Sequence, residues 1–385
     1  MRIVHVVEPL AGGMVTFLKS LVENMPDDFH IMVHGERKEE ISFSEVKKQF
    51  VYPNVRFLRW RSAQRNLRPQ KDIPAFIELY KILKRLKNKN LLDIVHLHSS
   101  KGGFIGRAVC RMLGIQNVVV YTPNGAPFMV GTKASNFLYK KLEKLAATFG
   151  GQVVCCSPSE QQAYEQAGIP AITINNGTPH KKSAYQPLLP RKDTKFRVVT
   201  TGRIVNQKNP VLFNKIASYF EEFSSFEFLW VGDGTEKHLL TSKNIQVTGW
   251  LPKEEVNQIV ARANVYLSTA NYEGLPFAVL EALSLRKPVL LTDCTGNKDL
   301  VVKGLNGDVF NNENDAINKI LHFYNNTSML SVMGEHSGLH CKTHFDLLNT
   351  YQSYKKLYQQ AGLAGETASY QASLLRLKPI THGTK

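Results

Sequence analysis

Four strings in this chain carry residue types suited to binding an anion and transferring a group attached to it. In T-T-G-R-I-V-N-Q-K-N-P (200–210) an apolar run stops at Gly202. Arg203 and Lys208 follow, and a helical stretch opens near Pro210. Two cations at a strand-to-helix turn can clamp a diphosphate through charge-assisted hydrogen bonds. Standing alone, the pair reads more readily as two solvated surface cations. In N-Y-E-G-L-P-F-A-V-L-E-A-L (271–283), Glu273 ends a strand and Gly274-Leu275-Pro276 turns into a helix. That helix start offers backbone amides and the positive end of a dipole to an anion, and Gly274 lets the backbone come close. Glu281 sits two turns into the helix, where a carboxylate can accept from ribose hydroxyls. Either glutamate alone is an ordinary surface carboxylate; the whole string is far more specific.

The other two strings lie in the first half. Gly12 and Gly13, directly after the first apolar run, allow a backbone-only contact with phosphate or simply a tight turn. In H-L-H-S-S-K-G-G (96–103), Ser99, Ser100 and Lys101 can meet a hydroxyl or an anion, or cap the helix that follows. His96 and His98 share a strand face there, but no third ligand is near in sequence, so no metal is expected. No G-x-G-x-x-G dinucleotide fingerprint, no Walker string, no H-E-x-x-H and no Asp-x-Asp occurs.

The elements that must position these residues are short apolar runs alternating with amphipathic stretches. Runs 3–7, 30–34, 93–98, 117–122 and 152–157 form one series, and 196–202, 226–234, 245–250, 264–270 and 287–293 a second. Near-continuous apolar strands between helices predict parallel sheets covered on both faces. Two α/β, doubly wound domains follow: residues 1–180, a proline-rich linker at 181–195, and residues 196–344. An amphipathic helix at 345–360 and a tail at 361–385 complete the chain. Ligands on such sheets bind beyond the carboxyl ends of the strands.

Composition narrows the partners. The chain has 385 residues, 43% hydrophobic and 21% charged, which excludes a disordered or fibrous protein. It carries 48 Lys/Arg against 32 Asp/Glu, a net charge of +16. Residues 51–150 alone hold 18 basic and 4 acidic residues. That concentration favours an anionic partner. Arg56, Arg59, Arg61, Arg65, Arg68 and Lys71, interleaved with Phe57, Leu58, Trp60 and Leu67, and then Lys81, Lys84, Arg85, Lys87 and Lys89, read either as a solvated face or as a patch that docks on an anionic membrane leaflet, with Trp60 as interfacial anchor. No RNP-like aromatic platform supports a nucleic-acid partner. No apolar run reaches the length of a spanning helix, the N-terminus reads as a strand, and five cysteines without a C-x-x-C pair read as free thiols.

Taken in order, G-R-I-V-N-Q-K, W-V-G-D-G, V-T-G-W, E-G-L-P-x4-E-A and D-x2-G-N-K-D-L-V resemble glycosyltransferase family four, retaining enzymes of the GT-B fold. H-S-S-K-G-G and Y-T-P-N-G resemble its bacterial capsule and O-antigen members. The resemblance implies two Rossmann-like domains facing across a cleft, with the last helix crossing back to the first. It implies a UDP- or GDP-sugar donor, no cofactor and no metal. It places Arg203 and Lys208 on the donor diphosphate, with Gly12 and Gly13 closing from the other domain. Glu273 would hold donor-sugar hydroxyls, Glu281 the ribose, Gly274-Leu275-Pro276 the phosphates, and Trp250-Leu251 would border the nucleobase. His98, Ser99, Ser100, Lys101 and Asn124 fall on the acceptor side. The acceptor expected is an oligosaccharide or a polyprenyl-diphosphate-linked sugar, reached from the cytoplasmic face of the membrane. Many members carry a histidine where this chain has Asn124; an amide orients a hydroxyl but is no base near neutral pH. A GT-B epimerase or phosphorylase is the competing chemistry, and a basic nucleic-acid-binding protein the more distant one.

Overall fold

β-branched and leucine-rich runs of four to six residues make the interior strands, because a strand covered on both faces needs no polar side. The computed structural model describes residues 1–8, 10–36, 43–64, 69–129, 133–179 and 195–376. Most of the expected linker, Arg65, Leu67, Arg68 and residues 377–385 lie outside the described residues.

The chain divides into two units. The first contains a parallel sheet of β1 (Arg2–Val7), β2 (Phe29–His34), β3 (Val55–Arg59), β4 (Ile94–His98), β5 (Val119–Thr122), β6 (Gln152–Cys155) and β7 (Ala171–Thr173), in the order β3-β2-β1-β4-β5-β6-β7. Helices α1 (Gly13–Asn24), α2 (Phe43–Lys48), α3 (Pro69–Asn88), α4 (Ser100–Met112) and α5 (Lys133–Ala147) follow the strands in turn, and α6 (Pro158–Gln166) belongs to the second unit up to Ala163 and to the first from Tyr164. The order reverses between β1 and β4, so the carboxyl ends of those strands form the switch point where such sheets bind ligands.

The second unit has the order β10-β9-β8-β11-β12-β13, from β8 (Phe196–Thr201), β9 (Phe226–Val231), β10 (Ile245–Val247), β11 (Val265–Ser268), β12 (Val289–Thr292) and β13 (Gly307–Phe310). Its helices are α7 (Pro210–Tyr219), α8 (Lys253–Ala261), α9 (Phe277–Ser284), α10 (Glu313–Asn325) and α11 (Thr327–His344). One face of the sheet buries Phe213, Phe220, Phe228 and Trp230; the other buries Leu229, Val279, Leu283 and Leu291. A last helix, α12 (Leu347–Arg376), belongs to the first unit from Tyr351 onward. It is much longer than the stretch 345–360.

The structure corrects the reading of Trp60. Residues 56–59 lie in β3, which among the described residues is an edge strand paired with β2, and Trp60 follows it. Trp60 is 1% exposed and donates its indole N–H to the Ala75 carbonyl at 2.9 Å, so it anchors α3 to the sheet and is no interfacial residue.

Candidate active site

The donor-side candidates converge at the carboxyl end of the second sheet. β8 ends at Thr201, and Gly202 follows it with a φ of 128° that only glycine adopts without strain. The W-V-G-D-G string packs directly on this turn. Trp230 donates its indole N–H to the Gly202 carbonyl at 2.9 Å. A Cβ on Gly232 would stand 2.1 Å from the Gly202 oxygen, and one on Gly234 would stand 2.3 Å from the Ile204 oxygen. The glycines of one string therefore exist to let the other, with half-buried Arg203, pass close by. A 3-10 turn at Asn206–Lys208 follows. Asn209, in the left-handed region, caps α7 by accepting from the Leu212 N–H at 3.1 Å.

This turn brings Lys208 against Glu273. Lys208 Nζ lies 2.6 Å from Glu273 Oε1, and Gln207 Nε2 donates to the other carboxylate oxygen at 3.4 Å. Glu273 is 7% exposed. Burial pulls the Lys208 pKa down, but the Glu273 charge and hydrogen bond outweigh it, with Arg203 opposing, and the net shift is upward. Lys208 is thus a charged ammonium whose field is partly neutralised by its own neighbour, a pairing that sequence separation conceals. Burial pushes the nearby Cys294 thiol up to about 11, so it remains protonated.

From Glu273 the chain turns into α9. A Cβ on Gly296, at φ 81°, would stand 2.4 Å from the Gly274 oxygen, so the D-x2-G-N-K-D-L-V loop holds the Gly274 turn as G-D-G holds Gly202. Leu275 is buried in the core, and its carbonyl accepts from Asn176 Nδ2 at 2.9 Å. Pro276 precedes the helix and contributes no side-chain cap, and the first turn of α9 has no acidic residue. The positive end of α9 is therefore left for another anion. In the second turn, Glu281 forms an ion pair with Lys253, the first residue of α8. That pair ties α9 to the turn carrying exposed Trp250 and partly buried Leu251. Neither Gln207 nor Lys253 was singled out from sequence.

In the first unit, Gly12 stands before α1 at φ 56°, exposed, with open space where a Cβ would project; Gly13 beside it is also exposed. The Thr122 carbonyl at the end of β5 accepts from the Ser99 N–H at 3.0 Å and from Asn124 Nδ2 at 3.2 Å. Asn124 Nδ2 also reaches Met14 Sδ at 3.3 Å. The ends of β4 and β5 and the start of α1 are thereby joined, and Ser99 (φ 63°) and Asn124 (φ 58°) both hold left-handed conformations. Ser99 makes no side-chain cap, and Ser100 is half-buried. Lys101 is buried in an ion pair with Asp72 at 2.5 Å, a structural role within the unit.

His98 points away from this rim into a fully buried imidazole array. The register of β1 on β4 sets His5 opposite His96. His5 Nδ1 lies 3.2 Å from His98 Nε2, and His5 Nε2 lies 3.1 Å from His30 Nδ1. His96 contacts the Tyr358 hydroxyl of α12 at 2.6 Å and the Thr122 hydroxyl at 2.8 Å. Burial first, then mutual repulsion, holds His5 and His96 well below their ordinary pKa, and burial brings His98 to about 3. His5 is the third imidazole that sequence proximity did not offer, and its ligand atoms, with those of His96 and His98, lie within 4.8 Å of one another. Among the described residues no carboxylate joins the three to balance a cation, and both nitrogens of His5 and of His96 already have hydrogen-bonding neighbours.

Comparison with known proteins decides the family. Residues 11–182 match the model described as Glycosyltransferase Family 4, and residues 182–337 match that of Glycosyl transferases group 1. The chain belongs to glycosyltransferase family four. This glycosyltransferase is 28% identical over 320 residues to the UDP-Gal:alpha-D-GlcNAc-diphosphoundecaprenol alpha-1,3-galactosyltransferase of Escherichia coli, covering 76% of this chain and 81% of the relative. It is 26% identical over 263 residues to the O-antigen biosynthesis glycosyltransferase WbnH of Escherichia coli, covering 65% and 73%. Its fold matches that of Anabaena HepE, solved with UDP and glucose, at a TM-score of 0.72 and 16% identity over 93% of this chain and 99% of the other. The two Rossmann-like parallel sheets are those of the GT-B glycosyltransferases, and these relatives are named for galactosyl transfer to a lipid-linked sugar and for O-antigen biosynthesis.

Proposed function

We propose that this glycosyltransferase moves a hexosyl or N-acetylhexosaminyl residue, with retention and without a metal, from a UDP-sugar to a polyprenyl-diphosphate-linked saccharide at the inner face of the membrane. The observation that carries the reading is the constellation of Arg203, Lys208 and Glu273 at the uncapped start of α9. The diphosphate takes the place beside Lys208 and Arg203, over the Gly274 turn and the first amides of α9. Charge grows on the departing nucleoside diphosphate in the transition state, and fixed cations and amides stabilise it most there. Glu273, already anchored by Lys208 and Gln207, turns its remaining acceptor capacity to the hydroxyls of the donor sugar. Glu281 accepts from the ribose, oriented by Lys253, and Trp250-Leu251 border the base. In the first unit, Gly12 and Gly13 offer exposed backbone to phosphate, and Asn124 and Ser99 orient the acceptor. The leaving phosphate takes the acceptor proton, so no protein base is required.

UDP is favoured over GDP because the galactosyltransferase relative is named for UDP-Gal and the HepE structure holds UDP. A lipid-linked acceptor is favoured because that relative is named for a diphosphoundecaprenol substrate. Metal independence is supported by the cations at the site and by the absence of Asp-x-Asp from the sequence. The test is incubation with a panel of UDP-sugars and a GlcNAc-diphosphate-lipid acceptor, with and without EDTA, followed by assignment of the product anomer. An axial-to-axial product that forms equally in EDTA supports the reading. Inversion, or activity that returns only with magnesium or manganese, rejects the corresponding part.

A further inference from the structure

The basic excess of residues 51–150 becomes more pointed once its acidic partners are located. All four carboxylates of this stretch are engaged. Asp72 pairs with Lys101 at 2.5 Å, and Glu78 accepts from the N–H groups of Arg61 and Ser62 at 3.0 and 2.8 Å. Asp93 accepts from Arg2 Nε at 3.0 Å, and Glu143 is buried against Arg107 at 2.7 Å and the Tyr121 hydroxyl at 3.0 Å. Arg59 is itself paired with Glu36 at 2.7 Å, which removes it from the free positive charge.

What remains outward is concentrated on two helices. The only acid of α5, Glu143, faces inward, while Phe137, Leu138 and Leu145 are 61%, 54% and 49% exposed. Exposed Lys141 and Lys144 stand among them, and Lys141 Nζ lies 4.5 Å from the centre of the Phe137 ring. These positions recur at helical spacing, so they form one stripe. α4 packs against both α5 and α3. α3 repeats the pattern with exposed Ile73 and Ile77 followed by exposed Lys81, Lys84 and Arg85. Water solvates lysines well but not three large apolar side chains clustered on one helix face. Apolar residues flanked by lysines, with the acids withdrawn, are the surface that lies in a lipid headgroup region.

We infer that the outward faces of α5 and α3 are a docking surface for an anionic lipid leaflet, with Phe137, Leu138 and Leu145 entering the headgroup boundary and the lysines meeting lipid phosphates. This deepens the proposed function, since a membrane-bound acceptor demands such a face, and it moves the contact away from β3 and Trp60.

The test is sedimentation of the full chain with phosphatidylcholine vesicles, with and without phosphatidylglycerol. Wild type should bind only the anionic vesicles and be released by raised salt. A variant with Phe137→Ser, Leu138→Ser and Leu145→Ser, and a second with Lys141→Glu and Lys144→Glu, should each lose about tenfold or more in partitioning. Arg59→Glu with Arg61→Glu should bind as wild type does. UDP affinity, measured in the same preparations, should be unchanged in all of them, which also shows that each is folded. Both α5 variants binding vesicles like wild type, or wild type failing to bind while still binding UDP, overturns the surface and leaves the transferase reading intact. Retention of wild type by RNA, lost in the α5 variants, likewise overturns it in favour of a nucleic-acid face. Vesicle binding without any UDP binding leaves this surface standing and removes the donor assignment.

Discussion

Lys208→Ala separates two roles that the geometry assigns to one ammonium. Lys208 Nζ lies 2.6 Å from Glu273 Oε1, and Glu273 is 7% exposed. Removing the lysine leaves the carboxylate with the long bond from Gln207 as its side-chain partner in this turn. Breaking a fully buried pair destabilises by about 3–5 kcal/mol, and water reaches part of Lys208, so about 2–3 kcal/mol is expected here. Glu273→Gln in the same background replaces an unpaired charge with a neutral amide and should return about half of that loss. Turnover should behave differently. Loss of a preorganised cation from the leaving diphosphate lowers it by about 2–4 kcal/mol in transition-state terms, and the added Glu273→Gln change should restore none of it. Urea unfolding followed by the fluorescence of Trp230, which lies in the core of the same unit, reads the first quantity. Initial rates with a UDP-sugar read the second. A single variant as stable as wild type, or a double variant that regains turnover, refutes the reasoning.

Two further perturbations test the scaffold. Gly232→Ala puts a Cβ 2.1 Å from the Gly202 oxygen at a φ of 145°, so the Arg203 turn must move; a loss of about 2 kcal/mol or more in stability, with weaker UDP binding by calorimetry, is expected. His5, His96 and His98 are held neutral when folded, with pKa values below the unfolded value of 6.5, so the unfolded chain binds more protons below that pH and stability falls as pH drops from 6.5 toward the folded values. Three such groups amount to about 4 kcal/mol between pH 7.5 and 5.5, and a flat unfolding profile for the first unit over that range would contradict the buried array.

The parts of the fold that were legible in the sequence are those set by local pattern. β1, β2, β4 and the interior strands of the second sheet are dominated by apolar residues, interrupted in the first sheet by buried histidines, because both of their faces are covered. β3 was not legible: Val55–Arg59 alternates with arginines because an edge strand has a solvated side, and the same residues mimic a basic aromatic patch. β13 (Gly307–Phe310) escaped notice for the same reason of edge position and brevity. Arg203, Lys208, Glu273 and Glu281 stood out because each belongs to a string whose glycines dictate a turn. Gln207, Lys253 and His5 did not, since their importance lies in partners that only the fold supplies: Glu273, Glu281 and the histidines of β4.

The central claim is that the second unit holds the nucleoside diphosphate, with Glu281 on the ribose and Glu273 beyond the phosphates on the sugar. Calorimetric titration of UDP into wild type, Glu281→Ala and Glu273→Ala measures this without needing the sugar or the acceptor. The expected result is clear UDP binding by wild type, about tenfold or more weaker binding in Glu281→Ala from loss of charge-assisted hydrogen bonds, and nearly unchanged binding in Glu273→Ala despite its loss of turnover. Equal losses of UDP affinity in the two variants, or full affinity in Glu281→Ala, would contradict it.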